Sequence, residues 1–201
     1  MSQSDDNTSV AMVTYDYEND LIYAKVWGFV PRDKIDAKSA KEGVDYRKLI
    51  NSGVCFSCGD EVIDYGFVER FIQDIPEKYG VEIVQLGFDR WNALSTVQKL
   101  ESSQNPVECV EIRQHSSILH RPTKLLKEYI LSRKFRYSDN LMLEINFQDA
   151  RCTEDTNLNK YVNKKKSAGK VDMVVSLINA LYLLQVNELD TVENDFGCQI
   201  I

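Results

Sequence analysis

Two aspartates, Asp89 and Asp172, stand at the ends of two hydrophobic elements, and their placement is the strongest chemical signal in the chain. Asp89 lies near the end of Val81–Trp91, whose alternation of apolar and polar residues reads as a half-buried strand. Asp172 opens Val171–Leu181, whose apolar residues recur at helical spacing. A carboxylate held at a strand end, facing another in the first turn of a helix, can share a divalent cation. Hard cations such as Mg²⁺ and Mn²⁺ take oxygen ligands, and a cation held this way can hydrolyse a phosphodiester. Both aspartates also have plainer readings. An acidic residue in a first helical turn is favoured by the macrodipole, and Asp89 can cap the next helix or pair with Arg90.

The elements that must position this pair follow from periodicity and turn chemistry. Thr8–Tyr15 and Leu21–Val30 read as strands joined by a hairpin turn at Tyr17-Glu18-Asn19-Asp20. A charged helical stretch runs to about Lys41, Val44–Ile50 is a short helix or loop edge, and Val54–Ser57 is a short strand. Phe67, Val68, Phe71, Ile72 and Ile75 form a helical stripe within Asp64–Tyr79, with Pro76 and Gly80 as its end signals. After the Asp89 strand, Asn92 is a cap for a helix over Ala93–Leu100, and Val107–Ile112 alternates as a strand. Pro122 suits the first turn of a helix running to Ser132, and Asn140–Gln148 is helical or mixed. Thr153–Lys170 is polar and predicts a loop. The Asp172 helix extends to Leu184, and residues 185–201 are expected to be a tail. Strand–helix–strand units after a hairpin give an α/β domain with a mixed sheet.

The 201 residues, 43% hydrophobic and 27% charged, suffice for one packed domain. No stretch reaches the about 20 apolar residues that span a bilayer. The N-terminus is polar and acidic, unlike a signal peptide, so a cytoplasmic location is expected. A net charge of −7 argues against indiscriminate coating of nucleic acid, so any DNA contact must use local basic clusters. Cys55 and Cys58 form one C-x-x-C, but a zinc site wants a second ligand pair, and Cys109, Cys152 and Cys198 have no Cys or His at that spacing. Buried or surface thiols are the expected reading.

Four blocks resemble the nuclease domain of the large terminase subunit of tailed bacteriophages. Leu86-Gly87-Phe88-Asp89-Arg90-Trp91-Asn92-Ala93 is similar to that family's "aF-DRW-a" block. Pro122-Thr123-Lys124-Leu125-Leu126-Lys127-Glu128 is similar to its "pt-keLe" helix. The run from Lys164 to Leu181 resembles its closing "KKKS-gkiDgvvAliMAL" block, and Ser2–Ser9 resembles the loop after its first nuclease strand. The blocks occur in order and cover nearly the whole chain.

The resemblance implies an RNase H-like fold, with a mixed central sheet flanked by helices over residues 1–184. The implied activity is metal-dependent cutting of concatemeric double-stranded DNA during genome packaging. It maps two of the family's three carboxylates onto Asp89 and Asp172, holding Mg²⁺ or Mn²⁺. The first family aspartate lies on a strand before the loop that Ser2–Ser9 resembles, so that strand is expected to be missing. Asp6 resembles an accessory acidic position and is a candidate for part of the ligation, with Asp5 as its neighbour; both also read as a solvated turn. No G-x-x-x-x-G-K-[ST] phosphate loop occurs, so residues 1–201 are not expected to hydrolyse ATP.

Two basic regions suit phosphate contacts. One contains Arg121, Lys124, Lys127, Arg133, Lys134 and Arg136; the other contains Lys160, Lys164, Lys165, Lys166 and Lys170, directly before Asp172. Lysines there bind backbone without reading sequence. The partners implied by resemblance are double-stranded DNA, portal protein and the small terminase subunit, with oligomers only inside the motor. The alternative is a non-catalytic module of the motor that docks to portal protein, small terminase or DNA.

Overall fold

The computed structural model describes residues 7–190, with backbone alone for residues 90–94. Strand β1 (Thr8–Asp16) pairs antiparallel with β2 (Leu21–Val30), in a register running from Thr8 opposite Phe29 to Asp16 opposite Leu21. The turn between them is locked chemically. The Asp16 carboxylate accepts the backbone N–H groups of Glu18 and Asn19, and Asp20 takes the left-handed conformation with φ 51°. The far side of β2 pairs parallel with β3 (Cys55–Ser57) near its C-terminal end and with β6 (Phe135–Tyr137) near its N-terminal end.

A second, two-stranded parallel sheet joins β4 (Leu86–Phe88) to β5 (Cys109–Glu111), with Leu86 opposite Cys109. Between β2 and β3 come the short helices α1 (Ile35–Glu42) and α2 (Tyr46–Asn51). Helices α3 (Tyr65–Tyr79) and α4 (Arg90–Glu101) flank β4 in sequence. Helix α5 (Ser116–Leu131) precedes β6, and α6 (Leu141–Asp149) follows it. A small hairpin, β7 (Cys152–Glu154) with β8 (Lys160–Val162), leads into α7 (Asp172–Leu184).

Two apolar layers show how the sheets relate. On one face, Val10 and Met12 of β1, Trp27 and Phe29 of β2, Leu86 of β4 and Cys109 of β5 join α3 residues in one cluster. On the other face, Ala11, Val13, Ala24, Val26 and Val110 join α7 in a second cluster. Both sheets are therefore sandwiched between the same helical layers, as alternating side chains of a pleated strand require. Helix α7 is the axle of the second layer: Met173, Leu177 and Leu181 are fully buried.

The expected hairpin, the α3 stripe and the Asp172 helix all stand where the sequence placed them. Several boundaries differ. The cap position before α4 is Asp89, not Asn92, because the strand ends at Phe88 and the helix begins at once. The strand predicted over Val81–Trp91 shrinks to Leu86–Phe88. Helix α5 begins six residues before Pro122, where the His115 ring accepts the Ser117 N–H as its cap. Pro122 thus lies inside the helix, its missing N–H giving up one ladder bond. The polar stretch predicted as a loop contains β7 and β8, held because Asp155 accepts backbone N–H groups from Asn157 and Asn159 in the turn. Winding also continues past Leu184 as a π-helical turn over Gln185–Leu189, where a tail was expected. Among the described residues, no helix is long and apolar enough to cross a membrane.

Candidate active site

Helix α7 starts under tight control. Its cap residue, Val171, has no side chain that can accept a hydrogen bond. The buried Asn146 of α6 substitutes for it: its Oδ1 accepts the Met173 N–H at 3.1 Å, while its Nδ2 donates to the Met142 carbonyl at 2.9 Å. Strand β1 is pinned to the same turn. The Ser9 hydroxyl donates to the Asp172 carbonyl at 2.8 Å and lies 2.5 Å from the Ser176 hydroxyl. The Asp172 carboxylate is largely shielded, its side chain 16% exposed, and it accepts the Lys164 Nζ at 2.9 Å.

Asp89 reaches the site from the opposite wall. It ends β4 and precedes α4 in extended conformation, with φ −90° and ψ 130°. Its side chain is exposed and makes no capping hydrogen bond to the helix it precedes. Both aspartates line one elongated cavity of 1160 Å³, together with Lys164, Ser9, Ser176 and Asn179. Gln114, just after β5, donates to Asn179 Oδ1 at 3.1 Å and so ties the β4–β5 wall to α7.

A smaller hollow of 240 Å³ adjoins Asp172 and is lined by Lys164, Lys165, Gly169, Lys170 and Val171. The loop that carries these lysines is built, not loose. Asn163 Oδ1 accepts the N–H groups of Lys165 and Lys166, and Ala168 donates its N–H to the Asp149 carbonyl. A side chain at Gly169 would meet the Asp149 carboxylate at 2.2 Å, so glycine lets the loop press against the end of α6.

The sequence-derived candidates therefore divide. Asp89, Asp172 and Lys164 share the large cavity, and Lys165 and Lys170 join the hollow beside it. Lys166 is exposed on the same turn. Arg121 and Lys124 lie elsewhere. Arg121 pairs with Asp190 at 2.9 Å and Lys124 with Glu128 at 3.7 Å, both on the surface. Asp190 follows Asp172 by eighteen helical residues, which at about 1.5 Å each puts Arg121 roughly 27 Å from the acidic end. Of the first basic region only Arg136 lines the cavity, while Lys134 pairs with Asp20. Asp5 and Asp6 lie outside the described residues.

Among the described residues, no three His, Cys, Asp or Glu side chains converge. Asp89 and Asp172 are the carboxylates of the expected pair, both lining this cavity, and carboxylate oxygens are the ligand type that hard divalent ions take. The Lys164 ammonium pairs with Asp172, so an ion bound there would have to displace or share that contact. Zinc or thiol chemistry has no such support. Cys55 and Cys58 are buried, and burial pushes the Cys55 thiol up to about 12, far from a thiolate.

The signals legible in the sequence here were Asp89 and Asp172 at element ends and the lysines before Asp172. Asn146 and Ser9 carried no such signal, since their roles depend on partners distant in sequence.

Comparison with known proteins shows the family and the fold. The family model for the endonuclease domain of the terminase large subunit matches residues 1–188. Among solved structures, the large terminase of bacteriophage HK97 superposes with a TM-score of 0.76 at 15% identity, covering 89% of this chain and 40% of that one. The chain thus spans about two fifths of the length of that terminase. Comparison with curated proteins gives no match. At this identity the HK97 likeness concerns the fold, an RNase H-like mixed sheet flanked by helices.

Proposed function

The chain belongs to the family of terminase large-subunit endonuclease domains, and from that premise we propose that it is a metal-dependent endonuclease domain that cuts double-stranded phage DNA during packaging. The observation that carries this reading is the shared cavity: Asp89 and Asp172 come from separate elements to the same space, beside a lysine-lined hollow.

Asp89 and Asp172 would hold the ion, Mg²⁺ or Mn²⁺. When bound, such an ion supplies an activated water and neutralises charge on the phosphate. The chain's own contribution is placement. Asn146 and Ser9 hold the α7 start, and with it Asp172, against relaxation. Lys164, Lys165 and Lys170 offer the DNA backbone a positive seat next to Asp172 without reading bases. The N-termini of α4 and α7 both point positive partial charge toward the site. Asp6 remains a candidate accessory ligand. Arg121 and Lys124, at the far end of α7, would touch only a longer track of duplex. Portal protein, small terminase subunit and the bacterial host cytoplasm are the partners and setting this reading entails.

Titration of Mn²⁺ against thermal unfolding tests it. Saturable stabilisation is expected, about 2.7 kcal/mol at a hundredfold excess over Kd, and lost in Asp89→Ala and Asp172→Ala. Plasmid nicking supported by Mn²⁺ should vanish in both variants. Unchanged nicking in both rejects the assignment, and absence of any metal response leaves the docking-module alternative.

A further inference from the structure

Lys164 and Asp172 each line both the 1160 Å³ cavity and the 240 Å³ hollow beside it, so their ion pair is the partition between the two spaces. The Lys164 Nζ lies 2.9 Å from Asp172 Oδ1, and the two partners are unequally placed. The Asp172 side chain is 16% exposed, the Lys164 side chain 56%. The carboxylate is walled in by the domain, while the ammonium reaches it from the solvent side.

The backbone is fixed on both sides of this pair. Ser9 and Asn146 bond the first turn of α7 and so hold Asp172. Asn163 holds the backbone before Lys164. Its Nδ2 donates to the Thr153 hydroxyl at 3.2 Å, its Oδ1 accepts the N–H groups of Lys165 and Lys166, and its carbonyl accepts the Ser167 hydroxyl at 2.9 Å. What can turn is the four-carbon stem of Lys164. A lysine ammonium is a compact charge on such a stem, so it changes partners without any change of backbone.

The hollow offers a second position. Lys165 and Lys170 line it with Lys164, three ammonium groups against the single Asp172 carboxylate. Its 240 Å³ equals roughly eight waters at about 30 Å³ each, room for a phosphate group with part of its hydration shell. While Lys164 pairs with Asp172, its charge is neutralised there. A divalent ion on Asp172 would repel the ammonium, because like charges in contact oppose each other most strongly beside a shielded group.

We propose that Lys164 is an exchangeable occupant of the Asp172 seat: it holds the carboxylate until a divalent ion takes its place, and the released ammonium turns into the hollow to bind a backbone phosphate of DNA. The exchange rests on Asp172 being a metal ligand, as read above. It ties the two ligands together. Metal on Asp172 adds a positive group to the hollow, and phosphate in the hollow draws Lys164 off Asp172, so each ligand strengthens the other by the same factor. Pairing with Lys164 also compensates the shielded carboxylate before an ion arrives. The role falls to Lys164 because, of the three lysines, it alone also lines the large cavity that Asp89 shares.

Titration calorimetry of Mn²⁺ into the 201-residue chain and its Lys164→Met variant tests the exchange. Removing the occupant should tighten Mn²⁺ binding about fivefold, the upper end for a partly exposed ion pair. Lys165→Met removes the same charge from the same hollow but leaves the Asp172 pair intact, and should change the Kd by about twofold or less. Acetic anhydride labelling, read by mass spectrometry, follows the ammonium itself. Lys164 labelling should rise when Mn²⁺ is added and fall again when a short DNA duplex joins the metal, while Lys166 labelling stays level on adding metal. Equal or weaker Mn²⁺ binding in Lys164→Met, equal tightening by both variants, or Lys164 labelling that ignores Mn²⁺ or the duplex overturns the exchange and leaves the metal site standing. Absence of Mn²⁺ binding by both the parent chain and Lys164→Met rejects the metal site, and the exchange with it.

Discussion

Asp172 and Asp89 face the same cavity from walls held in different ways. On the α7–β1 wall, Asp172 sits in a helix whose first turn is capped by Asn146, bonded to Ser9 and closed over by Lys164. On the β4–α4 wall, Asp89 follows a strand of three residues and makes no capping hydrogen bond to its helix. The neighbouring strands repeat the contrast. Seven of ten β2 residues are buried, whereas none of the nine in β1 and none of the three in β4 is. Asp172 is held in place by several bonds from the domain, whereas Asp89 stands exposed at the end of a short strand.

Five substitutions break or sharpen that contrast, in descending order of expected effect. Leu177→Ala, in the fully buried α7 wall, should cost about 3 kcal/mol, while Leu86→Ala in the half-buried β4 wall should cost about 1 kcal/mol. Urea unfolding of both variants checks this, and equal losses would remove the distinction between the walls. Asn146→Ala should cost about 1–2 kcal/mol by uncapping α7 inside the core. It should also weaken Mn²⁺-linked stabilisation although the residue is no ligand. Asp172→Ala should cost about 1 kcal/mol or less through loss of the Lys164 pair and the helix-dipole contact, against about zero for Asp89→Ala, even though both abolish the metal response.

The smallest effect concerns acid. Tyr15, Tyr129 and Lys134 all converge on Asp20 at the β1–β2 turn. Led by the Lys134 hydrogen bond, they lower its carboxyl from 3.8 to about 2. A depressed folded-state value adds stability above pH 3.8 that disappears as pH falls through it toward 2. Because Asp20 is partly exposed, the expected share is only about 0.5 kcal/mol after solvent screening. Asp20→Asn should flatten stability in that window, as read by urea midpoints between about pH 5 and about pH 2.

Much of the domain was legible residue by residue. The β1–β2 hairpin announced itself through alternation and a polar turn, and α3 and α7 through their apolar periodicity. Short strands were harder. β6, β7 and β8 have three residues each, too few for a period to register, and they persist only because β2, α5 and each other accept them. Pro122 misplaced the start of α5, since a local propensity was overruled by the His115 cap and by packing of Leu119 and Leu126 in the core.

By itself the sequence determined the hydrophobic periods, the positions of Asp89 and Asp172 at element ends, and the clustering of lysines before α7, because these are properties of near neighbours along the chain. Only the tertiary structure decided that the two aspartates share a cavity, that Arg121 and Lys124 stand a helix length away, that Asn146 caps α7, and that the sheet is interrupted between β1 and β4. Each of these depends on segments far apart in sequence being packed against the same helix. No local pattern carries that information, because the free energy of such contacts arises when the layers close and water leaves.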